Sequence, residues 1–223
     1  MESEGETMIS TAKDINPQIK ELRTVIKKES EFPQTKQLCL QLHSLAHNEY
    51  FDFDCDHHQQ SIMPTPQDVT VVWNLWHITR IEDMIVSTLI LHRKELFDDW
   101  QEKLNTGYRD TGNAMSDDEI IDLSRQVYFH QLKAYRIAVA KQTRQYLEHM
   151  TYTDLSVKVR KEDINRLLST GSVSPHKDAV WLLDFWGKKD VAGLLLMPIL
   201  RHPFVHLFDN LKLIEKIKRC RSI

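Results

Sequence analysis

His202 and His206 lie four residues apart. On a helix they project from one face, one turn from each other. Neutral imidazoles at that spacing can chelate a single Zn²⁺, Ni²⁺ or Fe²⁺. The spacing alone is weak evidence, so a third donor is needed. His77 is the natural one. It sits within Trp73-Asn74-Leu75-Trp76-His77-Ile78-Thr79-Arg80-Ile81-Glu82-Asp83, an apolar stretch in which an unpaired imidazole is costly to bury. Three histidines from two packed helices leave coordination positions open, as catalytic metal sites do and structural ones do not. Helical bundles build metal sites in this way, from facing helices.

Other residues could carry chemistry, each with a plainer reading beside it. Asp52, Asp54, Cys55, Asp56, His57 and His58 make a ligand-rich loop, which reads as solvated turn residues rather than a second metal site. Cys55 is flanked by two aspartates that would disfavour its thiolate. Arg80 lies one turn from His77. It could meet an anionic substrate at a pocket mouth or form an ion pair with Glu82, Asp83 or Asp209, and the ion pair is the favoured reading. Tyr128 and Tyr135 could line a cavity, although aromatics at helical spacing usually belong to the core. His43, His47, His92, His130, His149 and His176 lie singly beside polar neighbours and read as ordinary surface or core-edge histidines. There is no GxSxG, no Walker motif, no dinucleotide fingerprint and no HExxH, which removes the common hydrolase, nucleotide-binding and zincin readings.

The elements that would position these residues are helices. Asn16-Pro17 starts a first helix over about 17–29, with Ile19, Leu22, Val25 and Ile26 on one stripe. Phe32-Pro33 opens a second, about 33–50, and Thr65-Pro66 a third, about 66–92. Ser116-Asp117-Asp118-Glu119 matches a capping box and begins the longest, about 117–149. A last helical stretch runs over about 188–218. Loops fall at 51–64, 97–115 and 151–186. The last is long for a structureless connection, so helical turns are expected near Asp163–Leu168 and Ala179–Phe185.

Bulk properties narrow the class. Only 6 glycines among 223 residues argue against turn-rich β folds and glycine-lined phosphate loops. A net charge of −3 leaves no electrostatic footprint for nucleic acid; the basic tail Lys216, Lys218, Arg219 and Arg221 reads as a helix end suited to cations. Cys39, Cys55 and Cys220 are widely spaced and odd in number, which does not suggest a disulfide framework. Residues 1–11 hold no apolar signal-peptide core. The longest apolar runs, near 85–91 and 191–200, fall short of the ~20 residues of a membrane span. A cytoplasmic protein with one domain over 15–223 and a disordered segment over 1–14 is expected, with no nucleic-acid or membrane partner.

Trp76-His77-Ile78-x-Arg80-Ile81-Glu82-Asp83 followed late in the chain by Arg201-His202-x-x-x-His206 resembles the DinB/YfiT-like superfamily of metalloenzymes. Thr111-Gly112-Asn113-Ala114-Met115-Ser116 also looks like members of that group. The resemblance covers about residues 33–218. The single motifs are loose, whereas their order and spacing together are fairly specific. It implies an all-α fold, an up-down-down-up four-helix bundle, here with an additional N-terminal helix. It also implies one divalent metal, nickel or zinc, held by His77, His202 and His206. Relatives include thiol-dependent transferases and isomerases using bacillithiol, mycothiol or glutathione.

Two departures stand out. Pro203 follows the first of the paired histidines, where it would kink a continuous helix or else occupy a first turn. Asp209, three past the last histidine, takes a position where many relatives carry glutamine; it could orient an imidazole from behind or face solvent.

Two functions are therefore expected from different classes. One is a divalent-metal-dependent enzyme, a hydrolase or a thiol-dependent transferase acting on a small molecule, with or without a low-molecular-weight thiol as cosubstrate and with Ni, Zn or Fe as the metal. The other is a non-catalytic metal-binding or structural bundle. A homodimer on an outer bundle face suits either.

Overall fold

The structure is a computed structural model, and it describes residues 15–49 and 56–220. Among these residues the chain is helical, with no strand and one isolated bridge between Lys158 and Asp190. In chain order the α-helices are α1 (15–25), α2 (Phe32–Glu49), α3 (His57–Gln60) and α4 (Val71–Asp83). They continue as α5 (Gln101–Leu104), α6 (Asp117–Gln126), α7 (Phe129–His149) and α8 (Lys161–Ser169). The last three are α9 (Lys177–Gly187), α10 (Val191–Leu194) and α11 (His202–Cys220). The expected disordered segment 1–14 and most of the ligand-rich loop, Asp52 to Cys55, lie outside the described residues.

Four of these helices make the bundle. α2 packs against α7 and α11, and α4 packs against the same two, so α2 and α4 stand across from each other in an all-α ring. α1 adds Ile15, Ile19 and Leu22 to the common core.

Several boundaries differ from the sequence reading, each for a local reason. The third helix starts at Val71 and not near Pro66. Thr65 and Pro66 belong to a turn closed by Asp68 N donating to the Thr65 carbonyl, and Gln67 is left-handed at φ 69°. Thr70 then caps α4, its hydroxyl accepting from Trp73 N at 2.9 Å. Beyond Asp83 the helix widens into a π-helical segment, Met84–Ile90.

The long helix expected over 117–149 is two. Ser116 begins α6 with the capping box read from sequence, but Val127 and Tyr128 are extended and α7 starts afresh at Phe129. The break is stabilised from α5: Tyr128 N donates to the Leu104 carbonyl and Asn105 Nδ2 to the Gln126 carbonyl. The last stretch also divides, into α10, a π-helical segment Leu195–Ile199 containing Pro198, and α11. The connection 151–186 holds the two helices expected of it, α8 and α9.

The 29 residues Val191–Arg219 are long and apolar enough to cross a membrane by length and composition, though 56% of the most apolar window is buried inside the bundle. The uninterrupted apolar run near 191–200 understates that stretch, because it resumes past Arg201.

The bundle interior is unusually charged. Arg80 is fully buried. Its Nη2 donates to Glu95 Oε2 at 2.5 Å, its Nη1 donates to Tyr135 Oη at 2.8 Å, and its guanidinium lies 3.9 Å from the Phe97 ring centre. Tyr135 in turn donates to Asp83 Oδ2 at 2.7 Å, and Asp83 accepts from the Leu96 and Phe97 backbone N–H groups. A second buried group joins Glu82 to Arg136, His43 and Thr143. Charges this deep tolerate removal of one partner poorly, because the other is left unpaired. Arg80→Met is therefore expected to cost about 3–5 kcal/mol in urea unfolding. Pro203→Ala, in the first turn of α11, is expected to stay within about 1 kcal/mol of wild type.

Candidate metal centre

His77 comes from the middle of α4, while His202 and His206 come from the first two turns of α11. Pro203 does not disturb the pair. α11 begins at His202, so the proline sits where a backbone N–H has no helical partner to lose. Phe204 N and Val205 N both turn back to the Arg201 carbonyl, as at a helix start. The i, i+4 geometry of the two histidines survives intact.

The three imidazoles converge through the same atom. His202 Nε2 lies 3.2 Å from His77 Nε2 and 3.0 Å from His206 Nε2. Three nitrogens bound at about 2.0–2.1 Å to one ion, at tetrahedral or right angles to each other, would stand about 2.8–3.4 Å apart. Both separations from His202 fall in that range, and the three donors all lie within 4.8 Å of one another. Among the described residues, these three form the group of donors compact enough to hold a metal ion.

The outer nitrogens explain why Nε2 faces inward. His77 Nδ1 donates to the Thr111 carbonyl at 2.6 Å, which leaves Nε2 as the bare lone pair. His206 Nδ1 meets Asn74 Oδ1 at 2.8 Å. Asn74 Nδ2 is itself occupied, donating to Asn210 Oδ1 at 2.6 Å. His202 Nδ1 is buried without a hydrogen-bond partner. Two bare Nε2 acceptors thus face a third imidazole that has at most one proton to share between them, and a cation at their centre satisfies all three.

Burial keeps the set neutral. Desolvation, together with the nearby His206 imidazole, pushes His77 down to about 3, against the opposing pull of the Thr111 carbonyl. Desolvation alone lowers His206 to about 4. His202 falls well below the ordinary histidine value, through desolvation first and its two neighbours second.

The Thr111 carbonyl is one of three consecutive carbonyls gripped by α4. Arg80 Nε donates to the Arg109 carbonyl at 2.8 Å, Trp76 Nε1 to that of Asp110 at 3.0 Å, and His77 to that of Thr111. Arg80 is thus a core anchor for the loop that orients His77; the ion pair favoured from the sequence is present with Asp83, Glu95 joins it, and no charge is left over for a pocket mouth. Gly112 follows with φ 81°. A Cβ there would fall 2.6 Å from Trp73 Nε1, and Trp73 is the ring stacked on His77 at 4.6 Å.

Asp209 stands at the edge of the site rather than behind it. Its carboxylate pairs with Lys212 at 3.2 Å, and the group on His206 Nδ1 is the Asn74 amide. It does help line a pocket of about 370 Å³, together with Trp73, Asn74, His206, Lys212 and Leu213. Tyr135 belongs to the Arg80 network and Tyr128 is exposed beside His130. Asp56 caps α3, while Cys55 lies outside the described residues. The sequence reading missed Asn74 and Thr111. Asn74 had a signal: a buried amide one turn before His77 in an apolar helix needs a partner.

No family model matches this chain, and no curated protein matches it. Among solved structures, a conserved protein of Enterococcus faecalis is similar in fold. Its TM-score is 0.58 at 17% identity, over 82% of this chain and 96% of that one. At that identity the likeness speaks for the helical fold alone.

Two outcomes follow. In protein kept metal-free with chelator, the unfolded histidines bind protons near 6.5, while folded His206 and His77 resist until about 4 and 3. The unfolded state holds the extra protons across that window, so stability falls as pH drops from 6.5 towards 3. Urea midpoints against pH should show this slope, and a His77→Gln/His206→Gln double variant should flatten it. Gly112→Ala should lose about 1–3 kcal/mol in the same assay, from the left-handed backbone and the Trp73 clash.

Proposed function

We propose that this chain is a divalent-metal-dependent enzyme of the DinB/YfiT-like kind, acting on a small molecule. The observation that carries the reading is the convergence of three Nε2 atoms, two of them with their Nδ1 atoms already committed to acceptors. His77, His202 and His206 would hold the ion. An ion with three protein ligands keeps positions open and supplies Lewis acidity to an oxygen or sulfur donor that reaches it. The chain's own residues hold the imidazoles neutral by burial, aim them through Thr111 and Asn74, and shield one face of His77 with the Trp73 ring.

Nickel, zinc and iron all suit imidazole donors. Hydrolysis and thiol transfer both suit an all-histidine site with open positions. A pocket of about 370 Å³ lies beside His206, the one of the three ligands that lines it, and is of small-molecule size.

Elemental analysis of untagged protein tests the reading directly. Wild type is expected to carry close to one equivalent of nickel, zinc or iron, lost in His77→Ala and in His206→Ala while both remain helical. Wild type that stays metal-free after incubation with each ion would overturn it and leave a structural or interaction role.

A further inference from the structure

Four residues recur in register across the two helices that bear the ligands. On α4, Asn74 precedes His77 by three; on α11, Asn210 follows His206 by four. Asn74 and Asn210 are both fully buried and are joined by the 2.6 Å bond from Asn74 Nδ2 to Asn210 Oδ1. That bond uses the donor side of the Asn74 amide and leaves its oxygen for His206 Nδ1. We propose that the Asn74–Asn210 pair is a tautomer lock. Asn74 is the positioning residue that keeps the His206 proton on Nδ1, so that Nε2 is presented to a metal. The inference rests on the metal reading above and adds a role for residues outside the ligand set.

The chemistry of the lock is specific. An imidazole with no partner at Nδ1 is free to carry its proton on either nitrogen, and the Nε2–H form cannot ligate through Nε2, the atom that faces the other two histidines. Removing the groups that hold a ligating histidine commonly lowers metal affinity about 10–100-fold. The lock is also neutral. The outer nitrogens of His77 and His206 meet a backbone carbonyl and an amide, where many metal-bound histidines meet a carboxylate. Asn74→Asp should therefore keep the proton on Nδ1 and make His206 a stronger donor. It also gives the buried Asn210 Nδ2, which has no partner, an acceptor once that amide rotates.

The test compares wild type, Asn74→Leu, Asn74→Asp and Asn210→Leu. Cobalt(II) and zinc titrations report affinity, and long-range ¹H–¹⁵N spectra of the metal-free protein locate the His206 proton. The expected result is an affinity about 10–100-fold weaker in Asn74→Leu, with the proton no longer confined to Nδ1. Asn210→Leu should shift both readouts the same way by less, and Asn74→Asp should bind at least as tightly as wild type. If Asn74→Leu does not fold, Asn74→Asp and Asn210→Leu carry the test. A wild-type protein whose His206 proton lies on Nε2 would overturn the lock. So would an Asn74→Leu that matches wild type in both readouts, or an Asn74→Asp that folds and binds more weakly. Failure of the metal reading looks different: wild type would bind neither ion, while the proton position in wild type would still judge the lock.

Discussion

Every residue of α4, from Val71 to Asp83, is buried, and six of them are polar or charged. A helix so enclosed cannot turn a polar face to water, so each of Asn74, His77, Thr79, Arg80, Glu82 and Asp83 must meet a partner inside the protein. Much of the surrounding fold supplies those partners. α7 brings Tyr135, Arg136 and Thr143; the turn after the π-helical segment brings Glu95 and the backbone of Leu96 and Phe97; α2 brings His43. α11 brings Asn210 and the two remaining histidines.

Within that arrangement the histidine cluster is one place where hydrogen bonds do not close among protein atoms; Arg136 Nε and Asn210 Nδ2 are others. Arg80 balances Glu95 and Asp83, and Arg136 balances Glu82. The three Nε2 atoms face one another instead, and burial keeps them unprotonated, so charge repulsion does not push them apart. A site that is neutral, largely buried and short of donors suits a small cation better than an anion or an apolar group.

Much of this was legible in the sequence. His202 and His206 are set by helical period, and His77 by the cost of burying an imidazole among tryptophans and isoleucines. The bundle helices followed from apolar stripes and from caps such as Ser116, whose box is present in the structure. What was not legible depends on contacts between distant segments. Nothing local in Val127-Tyr128 ends a helix; the break needs Leu104 and Asn105 to receive it. The ion pair expected of Arg80 is present with Asp83, but its shorter partner, Glu95, lies fifteen residues on and is reached only through the fold. Asp209 shares a helical face with His206, yet the amide that reaches the imidazole comes from the other helix. Pro203 reads as a threat to the site only if the helix is continuous, and the turn at Leu200 and Arg201 removes the threat.

The row of carbonyls at Arg109, Asp110 and Thr111 has a consequence for chain length. Surface connections ordinarily absorb insertions and deletions, because little depends on which residue lies where. Here three neighbouring peptide units are read one by one from α4, by Arg80, Trp76 and His77. Adding or dropping one residue just before Arg109 would slide that row and offer His77 the wrong peptide unit. The segment from Asn105 to Gly112 therefore works as a ruler of fixed length. Related chains that keep the three histidines in this arrangement should vary in the sequence of that segment far more freely than in its number of residues.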